Sequence, residues 1–464
     1  MAQAALDPDG LTAPVPGRGT MTAMTTPAVG PAARRPAPRG TSGPSAPSTR
    51  RVKRSPATSV ALAERAGGPD LARGLALLGI AMANTIGWLH GTEWTVLLKQ
   101  ADATAADRIV DVIASFTIDN RGFPLFAMLF GYGIGILHRR SRARGERART
   151  FLARTARRHL VLLLLGLAHG ILLFSGDILA SYAIIGMLCA VLVTVRKRWL
   201  LPVAAILTTP LLAFWGWADG TIGLWGMDGY PEASAATYLE GVEMRAWDML
   251  YVVGSSLATD LGLLGPMVIG ALAARIHLFE QVQPNRDLLV PTAQWGIAVG
   301  LAGALPLTAV LVFDPHHDVL DNATALGILG VVHQFSGVIG ALGAAAAAAL
   351  IADHVCRTNA PPGTPGLGAP ARAVYAVEAL GVMALTAYVA QSVVFMALFP
   401  PYTLGLGDQV GSAGAAVVVL LSWLVMVVVA VLLRRAGRRG PLELVLRKLG
   451  GATSPRSAGN AGPS

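Results

Sequence analysis

The sequence has few charged residues and few cysteines. Asp, Glu, Lys and Arg make up 14% of its 464 residues, whereas they make up about 25% of an ordinary soluble domain. The two cysteines, Cys189 and Cys356, lie in or near separate apolar runs, and neither has a neighbour at the spacing of a metal site. The scarcity of charge argues against a soluble domain, and the cysteine pattern argues against a disulfide or a cysteine-based metal centre.

Sequence motifs of several enzyme classes are also missing. There is no GxxxxGK[ST], HExxH or GxSxG stretch, which argues against a P-loop nucleotide site, a zinc protease and a hydrolase with a nucleophile elbow. The segment DPHHDVLDN (314–322) contains His316 and His317, but adjacent residues rarely converge on one metal ion without further ligands. We therefore expect no metal site.

Long apolar runs are the main feature that the sequence does contain. Hydrophobic residues make up 53% of the chain, and they fall in runs of about 20, the length that a helix needs to cross a hydrocarbon core of roughly 30 Å. We predict an all-α integral membrane protein, a bundle of ten transmembrane helices. The predicted spans are 71–89, 110–137, 159–175, 177–195, 199–217, 250–276, 288–313, 324–352, 375–399 and 411–433.

Basic residues occupy alternate loops of this ten-span arrangement. The loop from Arg139 to Arg158 holds nine arginines, residues 196–198 form a second basic turn, and four arginines follow the last span. All three segments fall on one side, where the positive-inside rule places the cytoplasm. We therefore predict that both termini lie in the cytoplasm, and the preference for Arg (33) over Lys (4), typical of a GC-rich bacterial genome, predicts a bacterial cell-membrane protein. The basic residues predicted in the loops of the other side are only Lys99, Arg108 and Arg245.

The two ends of the chain differ in composition from the apolar part. Residues 1–69 hold nine Lys or Arg and 11 of the 29 prolines, and such a stretch buries too little apolar surface to fold. We predict a disordered, basic cytoplasmic tail at 1–69 that is attracted to anionic membrane lipid, a transmembrane domain at 70–449 and a disordered tail at 450–464. Because the net charge of +10 is spread over tails and loops, we expect no nucleic acid as partner.

Two titratable residues interrupt the apolar segment GLAHGILLFSGDILASYAIIG (166–186). A charged side chain inside a membrane costs about 2.5–3.5 kcal/mol on insertion scales, so it needs a reason. His169 lies within the third span and Asp177 begins the fourth, and the short turn between the spans brings the two side chains together. Gly166 and Gly170 share a helix face that allows close approach of a neighbouring backbone. We interpret His169 and Asp177 as an acid–base pair, with simple hydrogen bonding between helices as the alternative.

Other polar residues are predicted to line the interior of the bundle. Arg73 and Asn84 are eleven residues apart in the first span and share a helix face. The second span is interrupted by DNRGFP (119–124), where either Asp119 and Arg121 compensate each other or Arg121 binds an anionic group. Further polar residues within spans eight and nine are His333, Gln334, Ser336, Tyr388, Gln391 and Ser392.

Five segments occur in a fixed order along the chain. They are PDLARGLALLGIAMAN (69–84), DNRGFPLFAMLFGYGIGIL (119–137), GLAHGILLFSGDILASYAIIG (166–186), ALTAYVAQS (384–392) and GPLE (440–443). Together they resemble the YeiB family of bacterial multi-pass proteins over residues 69–449, although Pro69 and Ala387 stand where that family usually has Leu and Asn. The family is similar to the transmembrane acyltransferases, which implies an acyltransferase-like helical bundle.

The resemblance also implies a function and a donor substrate. Transmembrane acyltransferases take an acyl group from cytoplasmic acyl-CoA and pass it to an acceptor across the membrane. By that resemblance His169 is the acyl-accepting nucleophile or the general base, and Asp177 orients it. The donor is expected to be acetyl-CoA, and the acceptor a hydroxyl or amine of an extracytoplasmic glycan or lipid.

The same resemblance implies binding residues. Arginines at the cytoplasmic side would bind the phosphates of coenzyme A, and amide or guanidinium groups in the bundle would stabilise the thioester oxyanion. The expected phosphate ligands are Arg73, Arg139, Arg154, Arg157 and Arg158. The expected pocket residues are Asn84, Asn120, Arg121, Gln391 and Tyr388.

Two other functional classes are also consistent with the sequence. A proton-coupled transporter or exporter would use the His–Asp pair as a proton relay, and helix breaks near the midplane are typical of transporters. Against transport, the later spans contain no second His–Asp hairpin. A non-catalytic scaffold or sensor would bind neither acyl-CoA nor a transported solute.

We interpret Gly131 and Gly135 of GYGIGI as helix-packing residues. Such GxxxG faces also favour a homodimer.

Overall fold

The computed structural model describes residues 67–358 and 368–451 of the chain. The predicted tails at 1–69 and 450–464 lie almost wholly outside these residues. Within the described ranges the chain forms fifteen α-helices, joined by turns and short 3₁₀ segments. They are α1 Gly67–Asn84, α2 Ala105–Thr117, α3 Gly122–Ala143, α4 Ala148–Leu172, α5 Leu179–Thr194, α6 Leu200–Thr208, α7 Ala213–Thr221, α8 Tyr238–Thr259, α9 Leu264–Arg275, α10 Arg286–Phe313, α11 Ala323–Thr358, α12 Ala369–Val382, α13 Ala384–Leu398, α14 Ser412–Arg435 and α15 Pro441–Leu449.

Several of these helices are long and apolar enough to cross a membrane. Five candidates pass by length and composition, and two bent helix pairs raise the number to seven in the described part of the chain. On α14 the exposed side chains include Leu420, Leu421, Leu424 and Val425, as expected of a helix surface that faces lipid. The protein is therefore helical and membrane-embedded. The five candidates are Ala148–Leu172, Leu200–Trp225, Arg286–Phe313, Ala323–Val355 and Ser412–Arg435.

Three predicted spans contain a sharp bend or a non-helical break. The segment 250–276 bends by 55° between α8 and α9, and the segment 375–399 bends by 84° between α12 and α13. The predicted span 110–137 divides into α2 and α3, with residues 118–121 between them, where Asn120 has φ +60°. Bends and breaks free backbone groups, which are tolerated at membrane depth only where protein or a water-filled cavity surrounds them.

The three basic segments of the sequence meet at one end of the helices. Arg275 at the end of α9 donates to the carbonyl of Val193 at the end of α5, 3.0 Å away. Arg139 at the end of α3 contacts the carbonyl of Ala274, and Gly450 after α15 packs beside Arg158. We call this end of the molecule the basic face and the other end the opposite face.

Glycines allow the central helices to pack closely. A Cβ at Gly131 or Gly135 of α3 would overlap atoms of α9, and one at Gly270 of α9 would overlap the backbone of α3. The prediction that Gly131 and Gly135 are packing residues is confirmed. Because this GxxxG face is filled by a helix of the same chain, it does not supply the homodimer surface that the sequence favoured.

Candidate functional site

The α4–α5 hairpin depends on two glycines of α4. A Cβ at Gly166 would overlap the backbone nitrogen of Ala180 and the carboxylate of Asp177, and one at Gly170 would overlap Met249 of α8. The six residues 173–178 connect the two helices. Gly166 therefore lets α5 begin directly beside the last turns of α4, as predicted, whereas Gly170 makes room for the Met249 side chain of α8.

His169 and Asp177 form a direct hydrogen bond in this hairpin. His169 Nδ1 lies 2.8 Å from Asp177 Oδ1, and the two residues are 3% and 4% exposed. The other carboxylate oxygen accepts a hydrogen bond of 2.9 Å from the backbone N–H of Ala180, in the first turn of α5. A helix N-terminus stabilises negative charge, so α5 helps to hold Asp177 in place for His169.

Ser392 completes a row of three side chains. His169 Nε2 lies 2.9 Å from Ser392 Oγ, and Ser392 is 2% exposed. Asp177, His169 and Ser392 therefore have the carboxylate–imidazole–hydroxyl order of a catalytic triad. In the sequence, the only signal for Ser392 is its place among the polar residues of the ninth span, and no role follows from it. Nothing local pairs Ser392 with a residue 223 positions earlier.

Three of the predicted pocket residues lie beside this row. The ring centroids of Tyr388 and His169 are 4.9 Å apart. The Tyr388 hydroxyl contacts the Asn84 side chain at the end of α1 and accepts a 3.5 Å hydrogen bond from the N–H of Ile178. Gln391 Nε2 lies 3.5 Å from the carbonyl oxygen of Leu77. Helices α1 and α13 thus supply the polar groups that surround His169.

The position of α13 depends on Glu443 of α15. Its Oε1 accepts hydrogen bonds of 2.9 and 3.2 Å from the backbone N–H groups of Leu385 and Thr386, and its Oε2 accepts a 2.5 Å bond from the Thr386 hydroxyl. A helix begins with N–H groups that have no partner inside the helix. Glu443 satisfies two of them at the 84° bend, which gives the GPLE segment a structural role.

Asn120 and Arg121 lie in a second buried cluster instead. Asn120 Nδ2 donates to Asp219 Oδ2 at 2.8 Å and lies 3.1 Å from Nδ1 of His333. His333 Nε2 lies 3.0 Å from the carbonyl oxygen of Ser115. The cluster joins α2, α7 and α11 at the break before α3. The resemblance places Asn120 and Arg121 in the pocket of His169. Their side chains instead make their contacts at the α2–α3 break.

One of the two roles predicted for Asp119 and Arg121 was mutual compensation, but the Asp119 carboxylate does not pair with the Arg121 guanidinium. Lys99 is the ion-pair partner of Asp119, at 3.1 Å. Arg121 donates instead to three backbone carbonyls, those of Ser115, Asp119 and Gly300, at 3.0, 2.5 and 2.5 Å. The guanidinium therefore ties the broken segment to α10. Lys99 comes from the loop before α2, and no pattern within the second span could have revealed it.

Three of the predicted phosphate ligands already pair with carboxylates on the basic face. Arg73 contacts Asp70 at 2.6 Å, Arg139 contacts Glu280 at 2.5 Å and Arg154 contacts Glu146 at 2.8 Å. Arg157 and Arg158 are exposed on α4. Hydrogen bonds from Arg154 and Arg144 hold the pKa of Glu146 well below its usual range. An anionic ligand at Arg154 would thus have to displace Glu146 in its charged form.

A small cleft that the sequence did not predict lies at the bend before α13. Its volume is about 10 Å³, roughly the room for one water molecule. Arg434 in its wall pairs with Glu378 at 3.6 Å and stacks over the ring of Tyr375 at 4.1 Å. In the sequence, Arg434, Arg438 and Arg439 are three of the four arginines after the last span, and they indicate topology only. The lining residues are Ala379, Val382, Met383, Ala430, Leu433, Arg434, Arg438, Arg439 and Gly440.

Comparison with known proteins finds relatives along most of the chain. A family model described as "Protein of unknown function (DUF418)" matches residues 273–452. The uncharacterized protein YxaH of Bacillus subtilis (strain 168) is 24% identical over 431 residues, covering 83% of this chain and 94% of that protein. The uncharacterized protein YeiB of Escherichia coli (strain K12) is 26% identical over 411 residues, covering 82% of this chain and 94% of that protein. The predicted resemblance to the YeiB family is thus confirmed over 82% of this chain.

A third relative matches a shorter stretch of the chain. It is the uncharacterized 39.9 kDa protein in the amylase 3' region of Bacillus acidopullulyticus, which is 34% identical over 139 residues, covering 30% of this chain and 37% of that protein. The DUF418 match contains Ser392 and Glu443 but not His169 or Asp177. The buried row therefore joins the DUF418 region to the preceding part of the chain.

Proposed function

We propose that the protein is a membrane acyltransferase that moves an acyl group, expected to be acetyl, from cytoplasmic acyl-CoA to an extracytoplasmic hydroxyl or amine. The observation that carries this proposal is the buried row of Asp177, His169 and Ser392. A carboxylate on Nδ1 fixes the tautomer of the imidazole and leaves Nε2 to accept a proton. Such a base serves acyl transfer because the attacking hydroxyl or amine must lose its proton.

The proposal includes the orientation of the protein in a bacterial cell membrane. Ten crossings result if α2–α3, α6–α7, α8–α9 and α12–α13 each cross once and α1, α4, α5, α10, α11 and α14 cross singly. The basic face then lies in the cytoplasm together with both termini, in accord with the positive-inside rule. In this orientation the side of the molecule that meets acyl-CoA is also the side that carries the arginines.

The basic face supplies cations for the phosphates of coenzyme A. Arg73, Arg139 and Arg154 would exchange their present carboxylate partners for phosphate oxygens, which suit the planar guanidinium group. The cleft lined by Arg434, Arg438 and Arg439 opens beside the start of α13, the helix that carries Ser392. Because His169, Asp177 and Ser392 are all buried, helices around them must separate before the thioester reaches them.

The proposal is tested with the purified full-length protein and acetyl-CoA. Calorimetry should show saturable binding that Arg73→Ala weakens. With a lipid and glycan extract of bacterial membranes as acceptor, thiol release should require His169, so His169→Ala should lower it at least about 100-fold. His159→Ala, at another buried histidine of α4, is the matched control. Wild-type turnover in His169→Ala, or no binding of acetyl-CoA or longer acyl-CoAs to the wild type, would refute the proposal.

A proton-coupled transporter or exporter is the second candidate, and the cluster at the α2–α3 break favours it. Lys99 lies within electrostatic reach of the carboxylates of Asp111, Asp119 and Asp219, and intramembrane charges of this kind often mark ion or proton pathways. In proteoliposomes with an entrapped pH dye, transport would dissipate an imposed pH gradient without acyl-CoA, and Asp119→Asn would abolish the effect. A gradient decay equal to that of protein-free vesicles would argue against transport.

A further inference from the structure

We propose that Ser392 carries the acyl group as a covalent ester between two half-reactions. This inference rests on the proposed acyltransferase function and names the nucleophile of that site. Ser392 Oγ and His169 Nε2 are 2.9 Å apart, which is hydrogen-bond distance for a hydroxyl and its general base. Asp177 on the far side of the imidazole, at 2.8 Å, stabilises the imidazolium that forms when Nε2 takes the serine proton.

The position of Ser392 in the bundle fits a carrier between the two faces. Helix α13 starts at the bend beside the arginine-lined cleft on the basic face. Ser392 is eight residues into that helix, about 12 Å along its axis at about 1.5 Å per residue. A thioester that enters from the basic face meets Ser392 part of the way through the bundle, and an acceptor that enters from the opposite face meets the ester there.

The first half-reaction forms the ester. Ser392 Oγ attacks the thioester carbonyl carbon while its proton passes to His169 Nε2, and the carbon–sulfur bond then breaks. The departing thiolate takes the proton from the imidazolium and leaves as the free thiol of coenzyme A. Tyr388 lies one helical turn before Ser392 and contacts Asn84. Its hydroxyl group can donate a hydrogen bond to the oxyanion.

The second half-reaction regenerates the serine. His169 Nε2 takes a proton from the acceptor hydroxyl or amine, whose oxygen or nitrogen attacks the ester carbonyl. The bond to Ser392 Oγ breaks, and the imidazolium returns its proton to that oxygen. The sum is acyl-CoA plus acceptor giving acylated acceptor plus coenzyme A, so the cycle needs no redox partner or further reactant.

The test uses full-length protein, labelled acetyl-CoA and no acceptor. After acid quenching, peptide mapping by mass spectrometry should find one acetyl group on Ser392, together with an equivalent burst of free thiol. Ser392→Ala should lose the label and at least about 100-fold of the transfer rate with acceptor extract present. Ser422→Ala, at a buried serine of α14 that bonds only to the carbonyl of Val418 among the described contacts, should keep both.

A conservative variant separates chemistry from folding. Ser392→Cys should take the label as a thioester, which neutral hydroxylamine cleaves, whereas the ester of the wild type should resist it. Transfer that survives in Ser392→Ala, or label that maps to His169, would overturn the role of Ser392 and leave the acyltransferase proposal standing. A wild type that neither binds acetyl-CoA nor releases thiol would refute both.

Discussion

Asp177 shows how one carboxylate determines what a histidine can do. It accepts from His169 with one oxygen and from the N–H of Ala180 with the other, at 2.8 and 2.9 Å. Asp177→Asn keeps the shape of the side chain but presents an amide N–H donor to the Nδ1–H of His169, which needs an acceptor. Thiol release should therefore fall by roughly 100-fold or more. Asp353→Asn, at a carboxylate that pairs with Arg357 on the basic face, is the control. Equal turnover in both variants would contradict the role of Asp177.

Glu146 is the residue whose effect should depend on pH and salt. Arg154 and Arg144 lower its pKa in the folded protein below the unfolded value, so the stability it contributes is complete above about pH 4.5, near the ordinary pKa of Glu. That stability is lost as the pH falls through the folded pKa. Glu146→Gln should therefore lower Tm at pH 7 in low salt, with a smaller difference at pH 3 or in 1 M salt. A difference that is independent of pH would show that the ion pairs do not contribute.

Gly166 joins two elements, α4 and α5. A methyl group there would overlap Ala180 and Asp177, so Gly166→Ala should cost about 1–3 kcal/mol of stability, the usual penalty for overpacking, and displace the carboxylate. Gly133→Ala is the matched control, because a Cβ at Gly133 of α3 meets no atom within 4 Å. Thermal unfolding in detergent measures the difference, and equal Tm values for the two variants would contradict the packing argument.

The bend between α12 and α13 is held by a cap from another element. Glu443→Gln should weaken the hydrogen bonds to Leu385 and Thr386 and cost roughly 0.5–2 kcal/mol, the range of helix-cap losses. Because α13 carries Ser392, the variant should also lower kcat more than acetyl-CoA binding. The exposed Glu243→Gln is the control. Normal kcat in Glu443→Gln would show that the cap does not position the site.

The sequence could predict contacts within one element or one hairpin but not those between distant elements. The contact between His169 and Asp177 was predictable because the short turn between α4 and α5 forces the two helices to lie side by side. Ser392 was not, since only tertiary packing brings α13 to α4. The partner of Asp119 is Lys99 from a preceding loop. Gly381 is a local signal near the bend at Met383, but Glu443, which stabilises the bend, comes 60 residues after Met383.

At the scale of the whole molecule, the segregation of charge predicts which ends are accessible from outside the cell. We expect a membrane-impermeant maleimide to label Asp318→Cys, on the opposite face, in intact cells, and to label Arg147→Cys, on the basic face, only after permeabilisation. Both variants need a background that carries Cys189→Ala and Cys356→Ser. Labelling of Arg147→Cys in intact cells would invert the proposed orientation.

The cap on α13 also determines the order in which the parts of the buried row become fixed during synthesis. His169 and Asp177 enter the membrane early, Ser392 follows more than 200 residues later, and Glu443 comes 51 residues after Ser392. Domains form from the N-terminus onward during translation, so α13 would remain without its cap until Glu443 has been made. A nascent chain that stopped after Arg435 would contain the whole buried row, yet Ser392 would lie on a helix without a fixed start. The α15 segment is therefore the last of these parts that the row needs before its geometry is fixed.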